Sequence, residues 1–121
     1  MNLHRMLQAR ADAATPLRVA LIGAGKFGAM YLAQAKHTPG VHIVGIADLA
    51  PERARAALAR TGWPPERYFV RSIDDAAKLR KTFVTDDALA LIASPAVEIA
   101  IEATGNPAAG IAHALACCVH G

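Results

Sequence analysis

Residues 17 to 48, LRVALIGAGKFGAMYLAQAKHTPGVHIVGIAD, constrain the fold more than any other stretch of the chain. An apolar run from Leu17 to Ile22 leads into Gly23-Ala24-Gly25-Lys26-Phe27-Gly28, the spacing G-x-G-x-x-G. A segment of helical character follows, then a β-branched run from Val41 to Ala47 that closes on Asp48, 20 positions after Gly28. With nine glycines in 121 residues the spacing alone says little, because chance can produce it. A strand before the glycines, a helix after them and an acidic residue ending the next strand say much more. Together they read as a dinucleotide-binding βαβ unit.

Each residue type in that unit has a physical reason. Gly23 lets the chain turn sharply off the strand. Gly25, lacking a side chain, lets a pyrophosphate approach the backbone, and Gly28 lets the helix pack closely on the strands. The N–H groups around Lys26 and Phe27 open the helix and lack intrahelical acceptors, so with the helix dipole they attract an anion. Asp48 can accept hydrogen bonds from the two hydroxyls of an adenosine ribose. Its charge would repel a 2′-phosphate, which tilts the cofactor slightly to NAD over NADP. Arg53, five residues on, offsets part of that repulsion. A purely structural role for Asp48 is the N-cap of a helix opened by Pro51-Glu52, and one carboxylate can fill both roles. The P-loop spacing G-x-x-x-x-G-K-[ST] is absent, and a solvated surface position is the simpler role for the Lys26 side chain.

Beyond the first unit, Pro51 to Thr61 reads as a helix with Ala54, Ala57, Leu58 and Thr61 on one face. Gly62 and Pro64-Pro65 stop it. Residues 63 to 81 read as an insertion holding Trp63, the run Tyr68-Phe69-Val70 and a short helix opened by Ser72-Ile73-Asp74-Asp75, a capping-box pattern. A short third strand is expected over Thr82 to Thr85 at the sheet edge, and Thr85-Asp86-Asp87 then caps a helix over Ala88 to Ala93. Val97 to Ala103, VEIAIEA, reads as a fourth strand, followed by the turn Thr104-Gly105-Asn106-Pro107 and a last helix over Ala108 to Val119. Right-handed crossovers turn this order into a Rossmann-type, doubly wound parallel sheet of spatial order 3-2-1-4, an incomplete half of the full fold. The loop Gly23 to Gly28 and the loop Ala103 to Pro107 then face each other across the switch point. Thr104 and Gly105 lie where a nicotinamide ribose would reach. An ordinary strand-to-helix turn is the competing reading of Gly105-Asn106-Pro107.

Composition excludes several function classes. Hydrophobic residues make up 54% of the chain and aromatic ones 5%, so the core is built from Ala, Val, Leu and Ile. The formal charge is +3, with 13 basic residues scattered along the chain, and no basic stripe with interleaved aromatics points to nucleic acid. No apolar run approaches the ~18 to 20 residues of a membrane span, and charge interrupts the N-terminus where a signal peptide would need its apolar stretch. A cytoplasmic protein is the default expectation. Residues 2 to 13 read as a short docking helix, so residues 1–16 form an N-terminal extension and 17–121 the sheet domain. Cys117 and Cys118 read as buried reduced thiols. The five histidines show no metal-ligand spacing, and none is assigned a catalytic role; His37 and His42 are expected on a surface loop or helix end.

VALIGAGKFG, IVGIAD, TFVTDDALALIASPAVEIAIEATGNP and the last helix together resemble the N-terminal NAD(P)-binding domain of homoserine-dehydrogenase-like oxidoreductases. The similarity is nearest to the subgroup that carries a C-terminal SAF domain and includes 1-deoxy-D-xylulose 5-phosphate reductoisomerase-like enzymes. The N-terminal helix and the insertion over 63 to 81 fit that subgroup, and the resemblance runs from about Asn2 to Gly121. It implies an NAD(P)-dependent oxidoreductase, with hydride transfer to or from a small polar carbonyl or alcohol. It also implies that Gly23, Gly25, Lys26, Phe27, Gly28, Asp48, Thr104 and Gly105 line the cofactor cleft. The family's fifth strand, substrate domain and catalytic lysine and acidic residues have no counterpart before Gly121, so no catalytic residue is carried over. The chain is therefore expected to be C-terminally incomplete and inactive alone, its substrate held by the absent domain, with a homo-oligomer left open. The alternative from another class is a stand-alone nucleotide-binding module that senses redox state without catalysis.

Overall fold

The computed structural model describes residues 3–13 and 15–104. The elements run α1 (Leu3–Asp12), β1 (Leu17–Ile22), α2 (Lys26–Ala35), β2 (Val41–Ala47), α3 (Pro51–Arg60), a 3₁₀ turn (Pro65–Arg67), α4 (Ile73–Leu79), β3 (Phe83–Thr85), α5 (Ala88–Ala93) and β4 (Ile99–Glu102). All three strand pairings are parallel, and the sheet has the order β3-β2-β1-β4. This is the Rossmann-type α/β arrangement expected from the sequence. The last expected helix, the thiols Cys117 and Cys118, and Gly105 lie outside the described residues.

Both faces of the sheet are covered, which is why β1 and β2 are nearly continuous apolar runs. On one face Leu21, Ile43, Ile46 and Val84 pack with Leu32 and Ala35 of α2 and Ala54, Ala57 and Leu58 of α3. On the other, Ala20, Ile22 and Ala47 pack with Leu91 and Ile92 of α5. Strict alternation would put Ile43 and Ile46 on opposite faces. A register shift between Val19 and Ala20 inserts one extra residue into β2, so the two share a face.

Most local signals act where the residue types place them. Pro51 sits in the first turn of α3, where its missing N–H costs nothing, and Gly62 follows the helix with φ +87°. Ser72 Oγ accepts the Asp75 N–H at 3.1 Å and Asp87 Oδ1 accepts the Ala90 N–H at 3.0 Å, capping α4 and α5. The insertion holds only the 3₁₀ turn and α4, and Phe69 within its apolar run is 84% exposed.

Five expectations need correction. Helix α1 (Leu3–Asp12) ends before residue 13, and α3 ends at Arg60 with Thr61 as its C-cap. Thr82 precedes β3 rather than belonging to it, and its buried hydroxyl donates to the Ile43 carbonyl at 2.6 Å. Strand β4 is Ile99–Glu102 rather than Val97 to Ala103. At its start the Glu98 carboxylate accepts the Arg18 N–H at 3.0 Å and pairs with Arg10 at 3.1 Å, which ties the end of α1 to the sheet. Finally, His42 is not on a surface loop: it lies half-buried in β2, with Nε2–H donating to the Lys81 carbonyl at 2.6 Å.

Candidate functional site

The carboxyl ends of the parallel strands surround an open cleft of about 260 Å³, bounded by Gly23 and Gly25, by Asp48, Leu49 and Arg53 after β2, by Asp86 before α5 and by Ala103 and Thr104 after β4. Four of the expected site positions (Gly23, Gly25, Asp48 and Thr104) are thus brought together, with Arg53 beside them. Lys26 and Phe27 line an adjoining shallow groove with Gly25, Glu102 and Thr104. Gly28 stands behind the cleft and shapes it from there.

The glycines divide the labour. Gly23 has φ +95°, and a Cβ on it would come within 2.9 Å of the Ala103 and Thr104 backbone, so the two loops close on each other only because it is glycine. A Cβ on Gly28 would run into the Gly23 carbonyl oxygen, so its absence seats α2 against the loop. Gly25 is different: a Cβ there would meet nothing within 4 Å. The space above Gly25 is open, and it lies at the N-terminus of a ten-residue helix that no side chain caps. The first helical N–H groups of α2 therefore remain available to an anion.

Asp48 is buried and heavily engaged. Its Oδ2 accepts the Ala24 N–H at 2.9 Å, and its Oδ1 accepts the Ala50 N–H at 2.8 Å and the Arg53 guanidinium at 2.9 and 3.1 Å. The N-cap of α3 is Ala50, so Asp48 does not cap the helix; it closes an Asx-type turn one step earlier. The same carboxylate thus fastens the glycine loop to the end of β2. Burial alone would push its pKa up. The N–H donors of Ala50 and Ala24, with the Arg53 guanidinium, outweigh burial and hold it below the ordinary carboxylate value. Glu98 is also held low, first by the Arg18 N–H, against a smaller opposing effect of burial, and then by the Arg18 and Arg10 charges.

These two shifts give a signed expectation. A carboxylate that protonates at a lower pH when folded than when unfolded contributes its full stability above the unfolded value, roughly pH 4. That contribution is lost as pH falls through the folded value. Thermal melts followed by circular dichroism should therefore show the melting temperature dropping below about pH 4.5. In the double variant Asp48→Asn, Glu98→Gln the drop should be shallower. Equal slopes in the two proteins would contradict the assignment.

Leu49 and Asp86 at the cleft, and Glu102 in the adjoining groove, were not among the sequence candidates. Asp86 read as part of a helix cap and Glu102 as part of the fourth strand. The signal that could have found them is topological, since residues following the carboxyl end of every parallel strand face the switch-point crevice. Glu102 accepts the Thr104 N–H at 2.7 Å, which shapes the turn after β4. Among the described residues no group of three or more His, Cys, Asp and Glu could hold a metal ion, and no helix is long and apolar enough to cross a membrane.

Residues 17–121 match the model of the GFO/IDH/MocA family, described as an oxidoreductase family with an NAD-binding Rossmann fold. Among solved structures, the chain is similar to myo-inositol dehydrogenase from Lactobacillus casei in complex with NAD(H) and myo-inositol. The TM-score is 0.60 at 18% identity, covering 84% of this chain and 25% of that one. That likeness is one of fold, and the chain spans a quarter of the enzyme's length. No curated protein sequence gives a significant match. The oxidoreductase and NAD-binding Rossmann expectations hold, while the matched family is a different branch from the homoserine-dehydrogenase-like group that the sequence resembles.

Proposed function

The chain belongs to the GFO/IDH/MocA oxidoreductase family, with its NAD-binding Rossmann fold, and on that premise we propose that it is the cofactor-holding part of an enzyme that moves a hydride between NAD(H) and a small polar alcohol or carbonyl compound. One observation carries the reading. The uncapped N-terminus of α2, the open space over Gly25 and the Asp48 carboxylate all face a single cleft at the strand ends.

The residues present fit a dinucleotide. Gly25 and the first N–H groups of α2 would hold the pyrophosphate. Asp48 would accept from the adenosine ribose through the lone pairs that its protein donors leave open, since a carboxylate has about four acceptor sites. Leu49, 91% exposed at the cleft, supplies apolar surface beside it. Thr104, at the cleft after β4, would face the nicotinamide side. When bound, the nicotinamide supplies the hydride donor or acceptor, and the protein's part is to aim it. Arg53 stays paired with Asp48 and keeps that carboxylate charged and oriented.

The substrate class rests on two similarities. The structural neighbour was solved with a polyol, and the turn Glu102-Ala103-Thr104-Gly105-Asn106-Pro107 resembles homoserine-dehydrogenase-like and reductoisomerase-like enzymes, whose substrates are small polar carbonyl compounds or alcohols. Both favour a hydroxylated molecule of a few carbons. Calorimetry with NADH should show saturable binding by this chain. This chain alone should not turn over; joined to a substrate-holding part, it should reduce NAD⁺ with one of a panel containing myo-inositol, other small polyols and homoserine. Binding without turnover on any of them in that joined form would favour a nucleotide-sensing module instead. Absence of NADH binding by the folded chain would defeat both readings.

A further inference from the structure

The cofactor cleft continues past the glycine loop into an open groove of about 470 Å³. Gly25, Lys26 and Phe27 at the start of α2 line one side of it, and Glu102, Ala103 and Thr104 at the end of β4 the other. The groove shares Gly25, Ala103 and Thr104 with the cleft, whereas Asp48, Leu49 and Arg53 line the cleft alone. Strands β2 and β4 flank β1 on opposite sides, so Asp48 and Glu102 stand at opposite ends of this shared space. A dinucleotide is two nucleosides joined through one pyrophosphate. On the cofactor reading, from which the groove's role follows, the pyrophosphate lies over Gly25 and the adenosine at Asp48. The second nucleoside then enters the groove.

Two side chains give the groove its chemistry. Phe27, the second residue of α2, is 59% exposed although it is large and apolar, so it offers an aromatic face. Glu102 ends β4 in register with Ile22, the last residue of β1 before the glycine turn. Its Oε1 accepts the Thr104 N–H at 2.7 Å, which holds the carboxylate at the turn beside the groove. A π face thus stands on one side and a carboxylate on the other. Lys26 also lines the groove, at the first position of α2 next to Gly25. It therefore acts at the pyrophosphate, whose charge does not depend on the redox state of the cofactor.

We propose that Glu102 and Phe27 make this groove selective for the oxidised form of the cofactor. The nicotinamide ring is a pyridinium cation when oxidised and a neutral dihydropyridine once it has taken up a hydride. A carboxylate attracts the cation and is indifferent to the neutral ring. An aromatic face adds cation–π attraction for a cation close to its centroid. The rest of the dinucleotide is common to both forms, so these two side chains act on the difference alone. Tighter holding of the oxidised form makes the bound reduced form the stronger hydride donor. The groove thereby tilts a coupled reaction toward reduction of the carbonyl substrate.

Calorimetry at neutral pH and low salt tests this with NAD⁺, NADH and ADP-ribose, the last lacking the ring. The variants are Glu102→Gln, which keeps an acceptor for the Thr104 N–H and removes the charge, and Phe27→Leu, which keeps apolar bulk and removes the π face. Glu102→Gln should weaken NAD⁺ by about threefold or more, the scale of one exposed charge pair, while NADH and ADP-ribose bind as they do to the parent. Phe27→Leu should shift the NAD⁺-to-NADH affinity ratio in the same direction. An unchanged ratio in either folded variant overturns the proposal. So does an equal loss of all three ligands in Glu102→Gln, which would make Glu102 a support of the turn and nothing more. A folded parent that binds neither dinucleotide defeats the cofactor reading and this proposal together. A parent that binds both, with a ratio that Glu102→Gln leaves unchanged, defeats this proposal alone.

Discussion

Gly25→Val is expected to leave the protein folded and to weaken NAD binding by at least about 100-fold, close to 2.7 kcal/mol. Nothing lies within 4 Å of a Cβ at this position, and its backbone, at φ −74° and ψ −155°, is extended and open to any residue. The branched side chain therefore enters the empty space over the end of α2 instead of the protein core. That is the space a pyrophosphate needs. Gly28→Ala should behave in the opposite way. Its new methyl meets the Gly23 carbonyl oxygen, a backbone atom that cannot swing aside. Overpacking of this kind costs roughly 1 to 3 kcal/mol, so Gly28→Ala should melt earlier and lose binding only as a consequence of a displaced loop. Calorimetry with NADH, paired with thermal melts of both variants, separates the two roles. Equal affinity in Gly25→Val and the parent, both folded, would remove the glycine loop from the cofactor site.

That contrast also shows what the sequence makes legible. The spacing of Gly23, Gly25 and Gly28 is local, and each acts on atoms within a few residues or on the strand beside it. The boundaries of β1 and β2 were readable for the same reason, since an apolar run bounded by glycine or aspartate has few alternatives. The order β3-β2-β1-β4 followed from the handedness of crossovers rather than from any residue. What escaped was decided by distant partners. Val97 and Glu98 alternate as strand residues should, yet Glu98 spends its carboxylate on Arg18 and Arg10, eighty and more positions away. The extra residue in β2 leaves no mark in VHIVGIA, because Val44 is as apolar as its neighbours and is fully buried too. His42 looked like a turn residue until Lys81, from the approach to β3, supplied its acceptor.

Asp48→Ala should weaken NAD binding by roughly 1.5 to 3 kcal/mol, the range for hydrogen bonds to a charged group, and should weaken NADP less or strengthen it. The structure adds a reason beyond the ribose. The carboxylate holds the Ala24 N–H of the glycine loop, the Ala50 N–H and the Arg53 guanidinium at once. Removing it leaves the Ala24 N–H without its acceptor in a buried position, a loss of roughly 1 to 3 kcal/mol in stability, and loosens the loop that faces the pyrophosphate. It also frees Arg53, already at the cleft and 57% exposed, to meet a 2′-phosphate that Asp48 would have repelled. Asp48→Asn keeps one acceptor oxygen, for either the Ala24 or the Ala50 N–H, and turns an amide donor toward the other. It should therefore retain more of the stability than Asp48→Ala while still shifting preference toward NADP. Affinities for both dinucleotides, measured well below the melting temperature of each variant, give the ratio directly. The assignment of Asp48 as the discriminating residue fails if the parent prefers NADP by tenfold and Asp48→Ala leaves that ratio unchanged.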